Sequence, residues 1–198
     1  MEAVTRWFCL LWLLIPIVAR ADAPAVGPMV SARAAADGKI PAWSISTHTP
    51  PGWTSDCCTY AKAIGVNFVI YRGEWTGNPD RVMVLNVWPR KLPSLDAEWK
   101  ADQMNYLKKD PKGRVETFPV ASQAMACHGL LYVGSDQIDD AVVFCDPGKP
   151  SRIRLSWSMT VAANDPQRKE ATALFRKVVE QSEYAAGTLD DSRKLAKP

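Results

Sequence analysis

From residue 153 to residue 161 apolar and polar side chains alternate without a break, Ile153, Leu155, Trp157, Met159 and Val161 against Arg154, Ser156, Ser158 and Thr160. A period of two predicts a β-strand with one buried face, whose polar face is left to solvent or to a partner. Residues 67–72 and 81–88 are β-branched or aromatic runs separated by the turn residues Gly77, Asn78, Pro79 and Asp80, which predicts a hairpin. In the second run Val82 and Val84 point one way and Met83, Leu85 and Val87 the other, so a central strand covered on both sides is expected. Further strands are expected at 42–47, 114–120, 127–133 and 141–145, with a polar turn at 135–139 joining the last two.

Two stretches follow the helical period. Ser94 can cap a helix running to about Lys109, with Leu95, Trp99, Tyr106 and Leu107 on one stripe and Asp110, Pro111, Lys112 and Gly113 closing it. Nearer the C-terminus Asn164 or Asp165 can cap a second helix, and Pro166 suits its first turn. Ala171, Leu174, Phe175, Val178 and Val179 form its apolar stripe, which runs toward Tyr184 before Gly187 ends it. Strands outnumber helices and their links are short, so the fold class is α+β, an antiparallel β-sheet covered by amphipathic helices.

The N-terminus reads as a separate segment. Arg6, the apolar run 7–18 interrupted by Pro16, and then Ala19, Arg20 and Ala21 follow the order of a signal peptide. The run is shorter than the roughly 20 apolar residues of a bilayer span. Cleavage is expected after Ala21, because a cut after Ala23 would leave Pro24, with its fixed ring, at the new N-terminus. Cys9 lies inside the apolar run rather than behind a small-residue lipobox, so lipidation is not expected. The expected division is a signal peptide at 1–21, a flexible tether rich in Ala, Pro and Gly at 22–39, a single domain at 40–187 and a frayed tail at 188–198. A periplasmic or secreted location follows from the leader.

Composition narrows the partners. At 198 residues and 47% hydrophobic content the chain can bury one core. Its formal net charge is +3, and loss of Glu2, Arg6 and Arg20 with the leader leaves +2. That is far from the basic excess of a nucleic-acid surface, so no nucleic-acid partner is expected, and no segment of the mature chain has the length of a membrane span.

Removal of Cys9 leaves Cys57, Cys58, Cys127 and Cys145. An even count in an oxidising compartment predicts two disulfides, with three pairings open. Because a bond between Cys57 and Cys58 would close a ring across one peptide unit, each is expected to reach a different downstream cysteine. The alternative is a hairpin bridge from Cys127 to Cys145, with Cys57 and Cys58 free or joined to each other. Zinc is the competing use of the four thiols, but the C-x-x-C spacing is missing and an exported protein oxidises its thiols. No metal or other cofactor is expected.

Pro51-Gly52-Trp53, a hairpin, a mid-chain helix, a run of antiparallel strands and a closing helix carrying Phe175, Val178, Val179 and Ser182 together resemble the PsbP-like α-β-α superfamily. That superfamily includes an extrinsic photosystem subunit and bacterial envelope proteins such as DcrB. The resemblance spans about residues 40–184 and implies an α-β-α sandwich acting as an assembly or interaction module.

No G-x-S-x-G, H-E-x-x-H, P-loop or dinucleotide fingerprint is present, so no catalytic residue is assigned. His48 falls in a Pro-rich turn and His128 on a strand beside Cys127, where a structural histidine is the commoner outcome. A Cys-His nucleophile would need a free thiolate that a disulfide removes. Asp136, Asp139, Asp140 and Asp146 crowd one hairpin and could draw in a cation or a basic partner, although their spacing is that of a solvated turn and not of an EF-hand. Trp75, beside Glu74 in a turn region, is either a lid packed over the core or an exposed anchor. Trp75, Asp136, Asp139 and Asp140 are therefore the partner-binding candidates.

The leading functional expectation is a non-enzymatic binding or accessory protein of the bacterial envelope, with another envelope or secreted protein as its partner. An immunity or inhibitor protein that neutralises a secreted hydrolase is the second reading. A hydrolase whose acid and base meet only in three dimensions is the third.

Overall fold

A computed structural model describes residues 26–77 and 79–187. The expected signal peptide, most of the start of the expected tether, the turn residue Asn78 and the expected tail lie outside them. The strands are β1 Met29–Ala34, β2 Trp43–His48, β3 Trp53–Asp56, β4 Phe68–Arg72, β5 Val82–Pro89, β6 Arg114–Phe118, β7 Ala126–Val133, β8 Ile138–Asp146, β9 Ile153–Ala162 and β10 Glu183–Ala186. The helices are α1 Tyr60–Ala63, α2 Leu95–Lys109 and α3 Arg168–Glu180.

Seven strands form one antiparallel sheet in the order β3-β4-β5-β9-β8-β7-β6, and β1-β2-β10 form a second. The alternation in 153–161 does what its period dictates: Ile153, Leu155, Trp157, Met159 and Val161 are all buried on one face of β9. Register then carries that face outward. Leu85 lies opposite Trp157 and Phe68 opposite Leu85, while Val143 faces Trp157 from the other side. Against this face pack Ala171, Phe175, Val178 and Val179 of α3 together with Trp43 and Ile45 of the small sheet, which makes the main core. On the opposite face α2 lies over Leu130, Tyr132 and Phe144 through Leu95, Trp99 and Tyr106. The fold is thus α+β, an antiparallel sheet with helices on both faces. The expected hairpin joins β4 and β5, and Ser94 caps α2 by accepting from the Ala97 N–H at 3.1 Å.

The Pro51-Gly52 turn has a clear physical basis. Trp53 N–H donates to Pro50 O at 3.1 Å, Pro51 supplies the fixed φ, and Gly52 sits at φ 77°, as a type II turn requires.

Several expectations change. The tether is not uniformly unstructured: Met29–Ala34 is a strand paired along its whole length with β2, and Ala32 joins the core. The last helix starts at Arg168: residues 165–168 form a tight turn closed by the Arg168 N–H on Asp165 O at 3.0 Å, and the first helical bond runs from the Ala171 N–H to Gln167 O. It ends at Glu180, where buried Ser182 donates its hydroxyl to Val179 O at 2.6 Å, and Tyr184 belongs to β10 instead. β5 is central, but only Met83 and Leu85 are buried; Val87 on their side and Val82, Val84 and Asn86 on the other are half-buried.

The disulfide pairing also differs from the expected one: Cys57 bonds Cys58 and Cys127 bonds Cys145. Cys127 and Cys145 are direct cross-strand partners with Cα atoms 4.2 Å apart. β3, which leads to Cys57, is separated from β8 by β4, β5 and β9. At strand spacing that is roughly 19 Å, well beyond any disulfide reach. Disulfides in the chain fit a periplasmic or extracellular location.

Candidate functional site

The polar residues of β9 are not uniformly open, as a simple one-face strand would leave them. Arg154 is 0% exposed, Ser156 9%, Ser158 half-buried and Thr160 exposed, so the polar face emerges from the interior along the strand. Two things cover it. α2 roofs the β7–β8 side, and on the β4 side α1 and Trp75 roof Val69, Tyr71 and Val84. Between them lies a trough whose floor is Asn86 of β5 with Ser156, Ser158 and Thr160 of β9.

The trough consists of two cavities that share Ser158. The larger one, about 440 Å³, is walled by Trp88, Phe144 and the Glu98, Asp102 and Asn105 side chains of α2. The smaller one, about 360 Å³, is walled by Trp75, Ile64, Val84 and Asp80.

Each wall is braced. Trp75 stacks on Tyr60 with ring centroids 4.9 Å apart and meets Tyr71 edge-on at 5.2 Å. Tyr132 donates its hydroxyl to Asp102, and burial, followed by that carboxylate, pushes the Tyr132 phenol far above its ordinary range. Leu92 N–H donates to Glu98 Oε1 at 3.3 Å. Trp99 stacks on His128 at 4.3 Å with the planes 9° apart, so His128 acts as a packing surface under α2.

At the buried end stands an ionic cluster. Asp146 sits between Arg90 and Arg154, and its carboxylate also accepts from the Gly148 N–H at 2.8 Å. Arg154 Nη1 is 2.9 Å from Asp146 Oδ1 but off the direction a hydrogen bond needs, so this contact is ionic. Burial lowers the Arg154 pKa and the Asp146 charge opposes that shift.

The sequence candidates divide. Trp75 is a trough wall. Asp140 accepts from the Thr160 hydroxyl at the exposed end of β9. Asp136 caps its own turn by accepting from the Ile138 N–H at 3.0 Å. Asp139 is fully buried, paired with Arg168 and accepting from the Gly134 N–H, so it offers no surface to a partner. The aspartate hairpin is therefore not one cluster: alternation along β8 sends Asp139 to the core face and Asp140 to the other. Sequence reasoning missed Asn86, Glu98, Asp102 and Asn105. Glu98, Asp102 and Asn105 stand at helical spacings of four and three on α2, a polar line that could have been read as a second helix face.

No family model matches the chain, and no curated protein matches it. Among solved structures it is similar to a cyanobacterial PsbP (CyanoP) from Synechocystis sp. PCC 6803, at 12% identity over 79% of this chain and 92% of that one, with a TM-score of 0.45. It is also similar to LpqN of Mycobacterium tuberculosis, a protein involved in cell envelope biogenesis, at 12% identity over 79% and 91% of the two chains, with a TM-score of 0.48. The Ran-binding protein Mog1p of Saccharomyces cerevisiae matches at 12% identity over 79% and 96%, with a TM-score of 0.44. No described helix is long and apolar enough to cross a membrane.

Proposed function

We propose that this chain is an exported accessory protein of the bacterial envelope, and that it binds an extended, basic segment of another envelope or secreted protein in the trough between α2 and Trp75. The observation that carries the reading is the trough floor: Asn86, Ser156 and Ser158 form a line of hydrogen-bonding side chains on a sheet that is otherwise packed on both faces. A rigid floor of amide and hydroxyl groups can pair with a bound backbone without losing its own packing. Trp75 supplies an aromatic wall already ordered by Tyr60, and ordered aromatics anchor interfaces at low entropic cost. Glu98, Asp102 and Asp80 line the same trough, which favours lysine or arginine in the occupant. Export agrees with the expected leader and with the two disulfides.

Photo-crosslinking tests this. A photoreactive residue at position 158 of the full chain, expressed in its own cells, is expected to give one adduct of discrete mass, and the mapped peptide of the partner should be basic. A residue at Thr172, on the far side of the molecule, should not give it. Adducts at 172 with none at 158 would move the binding surface elsewhere.

One observation favours a hydrolytic reading as well: Glu98 and Asp102 line the same 440 Å³ cavity. That reading requires Glu98→Gln and Asp102→Asn each to abolish turnover of some substrate while leaving the fold intact. The binding reading stands if both variants merely weaken a basic partner.

A further inference from the structure

The chain carries two disulfides in opposite settings. Cys145 is fully buried, with Cys127 packed against the same core on the neighbouring strand. Cys57 and Cys58 are both exposed, just past the edge strand β3. Thiol–disulfide exchange starts with a thiolate reaching one sulfur from outside, so access decides which bridge exchanges. A reductant can meet Cys57–Cys58 with the fold closed, and no strand has to part for that bond to open. Cys127–Cys145 joins a half-buried cysteine to a fully buried one across a strand pair, so an attacking thiolate has far less access to it.

The exposed bridge is also wired to the trough. Asp56 Oδ1 accepts from the N–H groups of Cys58, Thr59 and Ala61 at 3.2, 3.0 and 2.9 Å, which ties the bridge and the start of α1 into one loop. Tyr60, two residues past Cys58, is the residue that Trp75 stacks on. Ile64, immediately after α1, stands in the same wall as Trp75.

We propose that Cys57–Cys58 is a thiol–disulfide exchange site for an external dithiol, and that opening it releases the Tyr60–Trp75 wall of the trough. In the first step a reductant thiolate attacks one cysteine sulfur, the Cys57–Cys58 bond breaks, a mixed disulfide forms and the other cysteine leaves as a thiolate. In the second step the reductant's remaining thiolate displaces the mixed disulfide. The protein gains two electrons and two protons as two thiols, and the reductant departs as its own disulfide. With the ring open, the backbone of Cys57 and Cys58 regains its freedom, and the turn that places Tyr60 loses its covalent brace and keeps the Asp56 hydrogen bonds. The control of binding rests on the reading of the trough as the partner site; the exchange itself does not.

The test equilibrates the oxidised full chain with dithiothreitol buffers of stepped potential, then alkylates and mass-maps the free thiols while recording tryptophan emission on the same samples. Cys57 and Cys58 are expected to be alkylated together in less reducing buffer than Cys127 and Cys145, with a shift in emission at the same midpoint. That shift should be absent in the double variant Cys57→Ser/Cys58→Ser and reduced in Trp75→Phe. The proposal is overturned if the two bridges open together with unfolding, or if Cys57–Cys58 opens with no change in emission. Ser158→Trp separates this from the function itself: it should abolish partner binding and leave both titrations where they were.

Discussion

Tyr60 and Trp75 lie face to face with their ring planes 14° from parallel, and Tyr71 meets each of them nearly at right angles. Fifteen positions apart in sequence, they close one wall of the trough over Val69 and Val84. Stacked and edge-on pairs contribute about 0.5–1.5 kcal/mol beyond area burial. Tyr60→Ala is therefore expected to lower unfolding stability by about 1–2 kcal/mol in urea and to weaken partner binding, while Tyr60→Phe should keep both close to wild type.

The Arg90–Asp146–Arg154 cluster yields an asymmetric prediction. Asp146→Ala leaves two guanidinium groups facing each other, Arg154 fully buried, and should cost about 3–5 kcal/mol by urea denaturation. Arg154→Met keeps most of the packing and leaves Asp146 paired with Arg90, so it should cost clearly less, about 1 kcal/mol. Equal losses in the two variants would show that packing and not charge sets the effect.

The two disulfides should differ as strongly in stability as in reactivity. Cys127 and Cys145 are 18 residues apart, and closing a loop of that size stabilises by about 3 kcal/mol through the unfolded chain. Cys127→Ala/Cys145→Ala should lose about that much. Cys57–Cys58 encloses no intervening residue, so replacing this exposed pair should cost no more than the stacking it releases, about 0.5–1.5 kcal/mol.

A third contrast concerns acid. The Ser135 N–H and hydroxyl both donate to Asp110 at 2.8 Å and hold its carboxyl below the ordinary aspartate range. A carboxylate depressed in the folded state stabilises above its unfolded pKa, and that contribution is lost as pH falls through the folded value. Asp110→Asn should therefore be less stable than wild type at neutral pH, and the difference should shrink below about pH 4. Urea melts at stepped pH check it; a gap that is constant with pH would contradict it.

What could be read from the chain and what could not have separate physical causes. The β4–β5 hairpin and β9 were legible because each carries apolar side chains whose period fixes a face, Ile153 to Val161 being buried where alternation places them, and α2 was legible from its Ser94 cap and the Leu95, Trp99 and Tyr106 stripe. β1 and β10 were not, since Met29–Ala34 and Glu183–Ala186 have weak patterns of their own and become strands only by pairing with β2. The hairpin that sets Cys127 beside Cys145 was legible and its bridge stood as the alternative pairing, whereas the strand order that holds β3 far from β7 and β8, and so leaves Cys57 and Cys58 to each other, was not. Trp75 was visible as an unusual turn tryptophan, but its partners Tyr60 and Ser158 come from elements far from it in sequence. The polar residues of β9 showed that a face was left for something; that α2 covers its Arg154 end and leaves Ser158 open is a tertiary fact.

The trough reading is tested most directly by the dissociation constant of the partner mapped from position 158, measured for wild type and for Ser158→Trp, with Thr172→Trp as control. An indole at 158 would fill the point where the two cavities join, so at least about a hundredfold loss of affinity is expected, equivalent to about 2.7 kcal/mol, with the unfolding midpoint unchanged and the control unaffected. Affinity for Ser158→Trp indistinguishable from wild type would contradict the account.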